Sequence, residues 1–294
     1  MKDPIVILGP GRCGSTLLQR ILNTSEEITI WGEHSGFLAS LAKSYYVLTE
    51  DKGIQKNFYS RSRPLDPSIV MGQLSNYSID ISWINPFDRE LSKEVYINLI
   101  VQLFARNIDL EKVSWGFKEI RYTQNDPALK MLLEIFPDTR IIFSIRNPFD
   151  VIKSMILAWV PSTRLEQKFK KAESQVALKT VLHYAKRWND VASSFQYWIA
   201  QHPNWNYHVD RYEHLVQAPE SVIKELFEFL NVPMPDTALK PMSAKAGKSP
   251  KRSTSYEPKV RQAIYSARHQ IWDLLEEPAE YFNYELGSVN SFNT

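Results

Sequence analysis

Gly9 and Gly14 frame Pro10, Gly11, Arg12 and Cys13, between an apolar run at 5–9 and a segment at 16–22 with the spacing of an amphipathic helix. A strand, a glycine turn and a helix start in that order form an anion-binding loop. Unpaired backbone N–H groups and the positive end of the helix dipole point at one spot. The Gly-x-x-x-x-Gly frame matches a nucleotide-phosphate loop, yet the Lys that nucleoside triphosphatases carry next is missing. Ser15 and Thr16 follow Gly14 directly. The loop therefore suits a phosphate-like group held without that Lys. Cys13 reads as a small residue filling a tight turn, since nothing beside it in sequence activates a thiolate.

Further chemistry stands at the ends of short apolar runs. Glu33 and His34 follow Ile28-Thr29-Ile30-Trp31, and Lys118 closes the run 113–118. Arg146 closes Arg140-Ile141-Ile142-Phe143-Ser144-Ile145, with Ser154 eight residues later. If the runs are parallel strands, these side chains share the crevice at the strands' C-terminal ends, where open α/β sheets bind ligands. Glu33 also reads as a helix N-terminal acid, and Lys118 as a solvated surface Lys. Arg146 has a narrower reading. An unpaired guanidinium at the end of a buried strand is costly, and its planar fork suits a phosphate. The 6 His and 1 Cys show no metal-ligand spacing, so no metal is expected.

The elements that must position these groups alternate along the chain. Strands are expected at 5–9, 28–31, 113–118, 140–146 and 207–210. Helices are expected at 16–22, 37–47, 91–108, 127–136, 150–159, 181–199, 220–230 and 260–275. In the 91–108 helix, Leu91, Val95, Leu99, Leu103 and Phe104 carry the apolar spacing. Pro148 suits the first turn of its helix and Pro219 opens another. Segments 36–112 and 160–180 hold candidate substrate-lid or mobile pieces. In the first, aromatics at 58–83 (Phe58, Tyr59, Tyr77, Trp83) are candidate acceptor-lining residues; in the second, 160–176 reads as a polar connection. This pattern predicts an α/β fold: one domain over 1–294, with a central parallel β-sheet flanked by helices on both faces.

Composition bounds the partners. Of 294 residues 44% are hydrophobic, enough for a sizeable core, and the net charge of +2 argues against wholesale nucleic-acid binding. Residues 240–261 carry 7 Lys or Arg against 1 acid, Glu257, while 273–285 is mostly acidic. The single Cys excludes an internal disulfide, and no apolar run approaches about 18 residues. A soluble, cytoplasmic protein without membrane partners is expected, its oligomeric state open.

Together, Gly9-Pro10-Gly11-Arg12-Cys13-Gly14-Ser15-Thr16-Leu17, the Arg146/Ser154 pair and Arg211-Tyr212-Glu213-His214-Leu215 before Pro219-Glu220 resemble sulfotransferases that use 3′-phosphoadenosine 5′-phosphosulfate (PAPS). The likeness runs over about 4–262 and is nearest to tyrosylprotein sulfotransferases and related bacterial small-molecule enzymes. It implies the P-loop NTPase-like sulfotransferase fold and transfer of a sulfuryl group from PAPS, with 3′-phosphoadenosine 5′-phosphate (PAP) as product and no metal. The loop residues Gly11, Arg12, Cys13, Gly14, Ser15, Thr16 and Leu17 correspond to the 5′-phosphosulfate site. Arg146 and Ser154 correspond to the 3′-phosphate clamp. Tyr212 and the C-terminal Lys248, Ser249, Arg252, Ser253 and Lys259 complete the implied cofactor contacts. Glu33 corresponds to the catalytic base, with His34 as the alternative, and Lys118 and Arg12 to the groups that stabilise developing charge. The membrane anchor and paired cysteines of the Golgi enzymes are missing, and Ala158 stands where those enzymes carry a further basic residue. A small-molecule hydroxyl or amine, as in natural-product biosynthesis, is therefore the expected acceptor. Peptide or protein tyrosine, or a carbohydrate, stays open. A small-molecule P-loop kinase and a non-catalytic PAP-binding protein are the rival classes.

Overall fold

Strand β1 (Ile5–Leu8) is apolar and buried at every position because it runs through the middle of a sheet covered on both faces. Ile5 and Ile7 enter one apolar cluster, Val6 and Leu8 the other, as side chains alternate along the strand. The computed structural model describes residues 3–59, 83–243 and 254–287. The other strands are β2 (Ile28–Trp31), β3 (Ser114–Glu119), β4 (Arg140–Ile145) and β5 (Tyr207–Arg211). All pair in parallel in the order β2-β3-β1-β4-β5, with Ile5 level with Gly116 on one side and Arg140 on the other.

The helices, in chain order, are α1 (Ser15–Leu22), α2 (Phe37–Glu50), α3 (Lys52–Lys56), α4 (Arg89–Phe104), α5 (Ala128–Ile135), α6 (Pro148–Trp159) and α7 (Ser162–Lys168). They continue with α8 (Gln175–Gln201), α9 (Tyr212–Gln217), α10 (Pro219–Phe229), α11 (Lys240–Ser243), α12 (Glu257–Ser266) and α13 (Arg268–Tyr281). Helices α1 and α10 cover one face through Leu18, Ile21, Leu22, Ile223, Leu226 and Phe227. The opposite face carries a larger cluster built from α2, α4, α5, α6, α8, α12 and α13, with Trp115, Phe117, Phe143 and Trp188 at its centre. The single-domain α/β architecture expected from the alternation is the one found.

Three local expectations are corrected. In α4 the stripe Leu91, Val95, Leu99 and Leu103 faces outward, each at least 40% exposed, and Ser92, Tyr96, Ile100 and Phe104 face in. Both stripes have helical spacing, so periodicity cannot rank them. The aromatic stripe buries more surface and finds specific partners, Tyr96 against Tyr45 and Phe104 against Trp115 and Phe117. The polar connection at 160–176 contains α7, anchored by buried Leu165 and Phe169. Helix α8 begins at Gln175, six residues before the periodic apolar run, because Ser174 caps it by accepting the Ala177 N–H at 3.2 Å. Residues 60–82 of the lid stretch, Tyr77 included, lie outside the described residues. Among the described residues no helix is long and apolar enough to cross a membrane.

Candidate active site

Strand β1 lies between β3 and β4; the chain runs from β1 toward β2 on one side and from β4 toward β5 on the other, which opens a crevice above the C-terminal ends of β1 and β4. The loop 9–14 fills that crevice. Gly14 caps α1 with φ +101°, and a Cβ there would stand 2.5 Å from the Tyr212 ring. A Cβ on Gly11 would stand 2.5 Å from the Trp159 indole. Arg12 adopts φ +71°, a left-handed conformation unusual for a non-glycine residue and typical of loops shaped for a ligand. Helix α1 starts without a side-chain cap and without an acid in its first turn, the kind of helix end that suits an anion. Thr16 is exposed there, Ser15 is buried, and Leu17 packs partly into the α1 face.

On the β4 side, Arg12 Nε donates to Ser154 Oγ at 3.0 Å. Arg146 stacks on Tyr212, guanidinium carbon to ring centroid 4.4 Å, and its Nη1 reaches the Arg12 carbonyl at 3.5 Å. Asp150 lies 3.8 Å from Nη2, while Nε is buried without a protein partner. Asn147 caps α6 by accepting the Phe149 and Asp150 N–H groups at 3.0 and 3.4 Å. Its own N–H is held at 2.8 Å by Glu213, which also accepts the Tyr284 hydroxyl at 2.9 Å. Two cations and a hydroxyl thus meet beside the loop, an arrangement whose chemistry suits an anion.

On the β3 side, Lys118 is buried and its ammonium contacts the Glu33 carboxylate directly. Arg121 Nη1 lies 3.2 Å from Glu33 and 2.6 Å from Glu119. Burial pushes the Glu119 carboxyl up, but the N–H groups of Ile120 and Gly36 and the Arg121 guanidinium outweigh it and hold it below the usual carboxylate range. His34 is enclosed by Phe37, Phe104 and Phe117, ring centroids 4.8–5.6 Å away, and its Nε2 faces the Tyr122 hydroxyl at 3.3 Å. Burial lowers its pKa, against the neighbouring charge of Glu119, which raises it. The Glu33 side chain is 31% exposed and that of His34 only 12%. Glu33 therefore meets solvent at the mouth while His34 packs behind it.

The fold brings Gly11, Arg12, Cys13, Gly14, Ser15, Thr16, Leu17, Arg146, Ser154, Tyr212, Glu33, Lys118 and His34 to one end of the sheet. Cys13 is fully buried, which pushes its thiol up and away from thiolate chemistry. Lys259 is exposed on α12, which packs against α6, the helix that carries Ser154. Lys248, Ser249, Arg252 and Ser253 lie outside the described residues. Among the described residues no three His, Cys, Asp or Glu side chains cluster as metal ligands would. The sequence reading missed two groups, Glu119 and Arg121. An acid directly after a strand-end Lys was the available signal. It also missed Asp210, buried in β5 with both carboxylate oxygens unpartnered.

A profile described as the sulfotransferase family matches residues 4–236, and the chain belongs to that family. An uncharacterized protein of Aquifex aeolicus (strain VF5) is 24% identical over 282 residues, covering 94% of this chain and 31% of that protein. The chain thus spans under a third of that relative's length. Among solved structures, the sulfotransferase domain from the curacin biosynthetic pathway superposes with a TM-score of 0.55 at 19% identity, covering 97% of this chain and 99% of that one. The sulfotransferase of Alicyclobacillus acidocaldarius gives 0.51 at 16%, covering 99% of each. The sulfotransferase domain of the Synechococcus PCC 7002 olefin synthase gives 0.51 at 18%, covering 97% of each. These likenesses show a shared fold.

Proposed function

We propose that this member of the sulfotransferase family transfers the sulfuryl group of PAPS to a hydroxyl or amine of a small-molecule acceptor. The observation that carries the reading is the two-sided site around one phosphate loop. Arg12, Ser154 and Arg146 gather on the β4 side, and Glu33 with Lys118 on the β3 side. A Mg²⁺-triphosphate loop needs a Lys after its second glycine and an acid for the metal. Here Ser15 follows Gly14, and Arg146 follows the neighbouring strand. The residues fit PAPS on this structure's own features. The uncapped α1 N-terminus suits the 5′-phosphosulfate, and the buried Arg146 Nε, which has no protein partner, supports a role for that guanidinium at a second phosphate.

PAPS supplies an electrophilic sulfur whose bond to the phosphate oxygen breaks as the bond to the acceptor forms. Arg146, braced by Tyr212, and Ser154 hold the 3′-phosphate, while the loop N–H groups hold the 5′ end. Glu33 accepts the acceptor's proton, the more open of the two candidate bases. Lys118 and Arg12 offset charge developing on sulfuryl and phosphate oxygens. The exposed Trp31 and Phe37 beside Glu33 offer an apolar shoulder to the acceptor. Two fold relatives are domains of a curacin pathway and an olefin synthase, which supports a natural-product metabolite as acceptor.

The test is a panel of alcohols, phenols, amines and sugars incubated with isotopically labelled PAPS in EDTA, read by mass spectrometry. Gain of one SO₃ by an acceptor with release of PAP supports the reading. Mg²⁺-dependent ATP turnover in a parallel assay without EDTA, with no sulfuryl transfer, replaces it with a kinase. Stabilisation by PAP with no product from any acceptor reduces the protein to a binder.

A further inference from the structure

Glu119 is a carboxylate with no exposed side-chain surface, and burying a charge is costly unless every oxygen is satisfied. Among the described residues, its partners lie on the two segments that carry Glu33 and Lys118. It accepts the Gly36 N–H and the Ile120 N–H, each at 2.8 Å, and Arg121 Nη1 at 2.6 Å. His34 Nδ1 stands 3.6 Å away, in electrostatic reach though beyond a hydrogen bond. The register of β2 on β3 ends with Trp31 level with Phe117. Past that point no ladder holds the 32–36 segment, which turns back through two left-handed residues, Ser35 at φ +60° and Gly36 at φ +71°. Glu119 supplies the missing tie. Side-chain alternation sends Lys118 to Glu33 and Glu119 to the Phe117 side, beneath His34.

We infer that Glu119 is a positioning residue for Glu33, acting through Arg121 and through the backbone of the 32–36 turn. Arg121 Nη1 is shared between the two carboxylates, at 2.6 and 3.2 Å. The charge of Glu119 draws Arg121 inward and keeps it from closing over Glu33. Its bond to Gly36 sets where the Glu33 Cα sits opposite Lys118. This assignment rests on the reading of Glu33 as the base, and it needs the negative charge of residue 119 as well as its shape.

The experiment uses the full chain with Glu119→Gln, Glu119→Asp, Arg121→Gln and the double variant Glu119→Gln/Arg121→Gln. Turnover is PAP release from PAPS with water as acceptor. Crystal structures without ligand and backbone hydrogen exchange over residues 32–37 read position directly. In Glu119→Gln, kcat should fall by about ten- to a hundredfold, as expected for a misplaced catalytic group, with KM for PAPS within about twofold. Exchange over 32–37 should quicken by roughly tenfold and Glu33 should leave Lys118 in the crystal. Glu119→Asp, which keeps the charge, should recover part of kcat. The double variant should be little worse than Glu119→Gln alone, because both changes cut one path. Glu33 still on Lys118 in Glu119→Gln, additive losses in the double variant, or Asp no better than Gln would each overturn the inference. Arg121 is half exposed, so Arg121→Gln keeps the question open if Glu119→Gln fails to fold. Wild-type kcat in Arg121→Gln overturns the path through it. Turnover that survives Glu33→Gln instead defeats the base reading itself, whatever the Glu119 variants do.

Discussion

Replacing Arg146 by Ala should abolish selection for the 3′-phosphate while sparing the 5′ site. In the fold, the guanidinium has only modest partners: the Tyr212 ring at 4.4 Å, the Arg12 carbonyl at 3.5 Å and Asp150 at 3.8 Å. A cation–π contact of this kind and a partly exposed ion pair are worth about 0.5–1 kcal/mol each, so the ligand-free protein should lose only about 1–2 kcal/mol. A phosphate on the planar fork makes two charge-assisted hydrogen bonds of about 1.5–3 kcal/mol each, so the bound state should lose roughly 3 kcal/mol or more, at least about a hundredfold in Kd. Isothermal titration with PAP and with AMP, which lacks the 3′-phosphate, separates the sites. Wild type should prefer PAP strongly. In Arg146→Ala the two affinities should come within about threefold of each other, with AMP unchanged. Arg146→Lys, a point charge without the fork, should fall between. Equal weakening of PAP and AMP, or PAP affinity untouched, would refute the assignment of Arg146 to the second phosphate.

Glu33→Gln should cut kcat by about 10²–10⁴-fold while PAP affinity stays within about twofold, checked by product mass spectrometry and titration. Gly14→Ala places a Cβ against Tyr212 at φ +101° and should cost about 1–3 kcal/mol in denaturant unfolding, with weaker PAP binding. Phe117→Ala, which empties the core beneath His34, should cost about 3–5 kcal/mol and lower Tm accordingly. Burial, with Glu213 beside it, pushes Asp210 up to about 7, far above its unfolded value. Its protonated form therefore contributes stability that is full below the unfolded pKa and is lost as pH rises through about 7. Unfolding free energy of wild type minus that of Asp210→Asn should fall between about pH 4 and pH 7, then level off; a flat difference would mean that Asp210 is ionised throughout.

The glycine loop was legible because it is local: a strand, a glycine turn and a helix start within about 20 residues, each with its own signal. The strand ends that carry Glu33, Lys118 and Arg146 were legible for a related reason, since parallel βα units place their C-terminal ends together. Glu119 and Arg121 escaped because their meaning lies in bonds to Gly36 and Glu33, each more than 80 residues away. The inward face of α4 escaped because two apolar stripes compete on one helix, and only the aromatic partners at Tyr45 and Trp115 decide between them.

By itself, then, the chain's order of residues determined the sheet, the loop and which polar groups stand at its rim, because short-range backbone chemistry and apolar alternation suffice for these. Tertiary structure alone decided how the rim groups pair. It set Arg12 on Ser154, Arg146 on Tyr212, Glu33 on Lys118 and Glu119 on the turn behind it. Those contacts join residues from segments far apart in the chain, and a charge buried between segments takes its role from the partners that desolvation forces it to find.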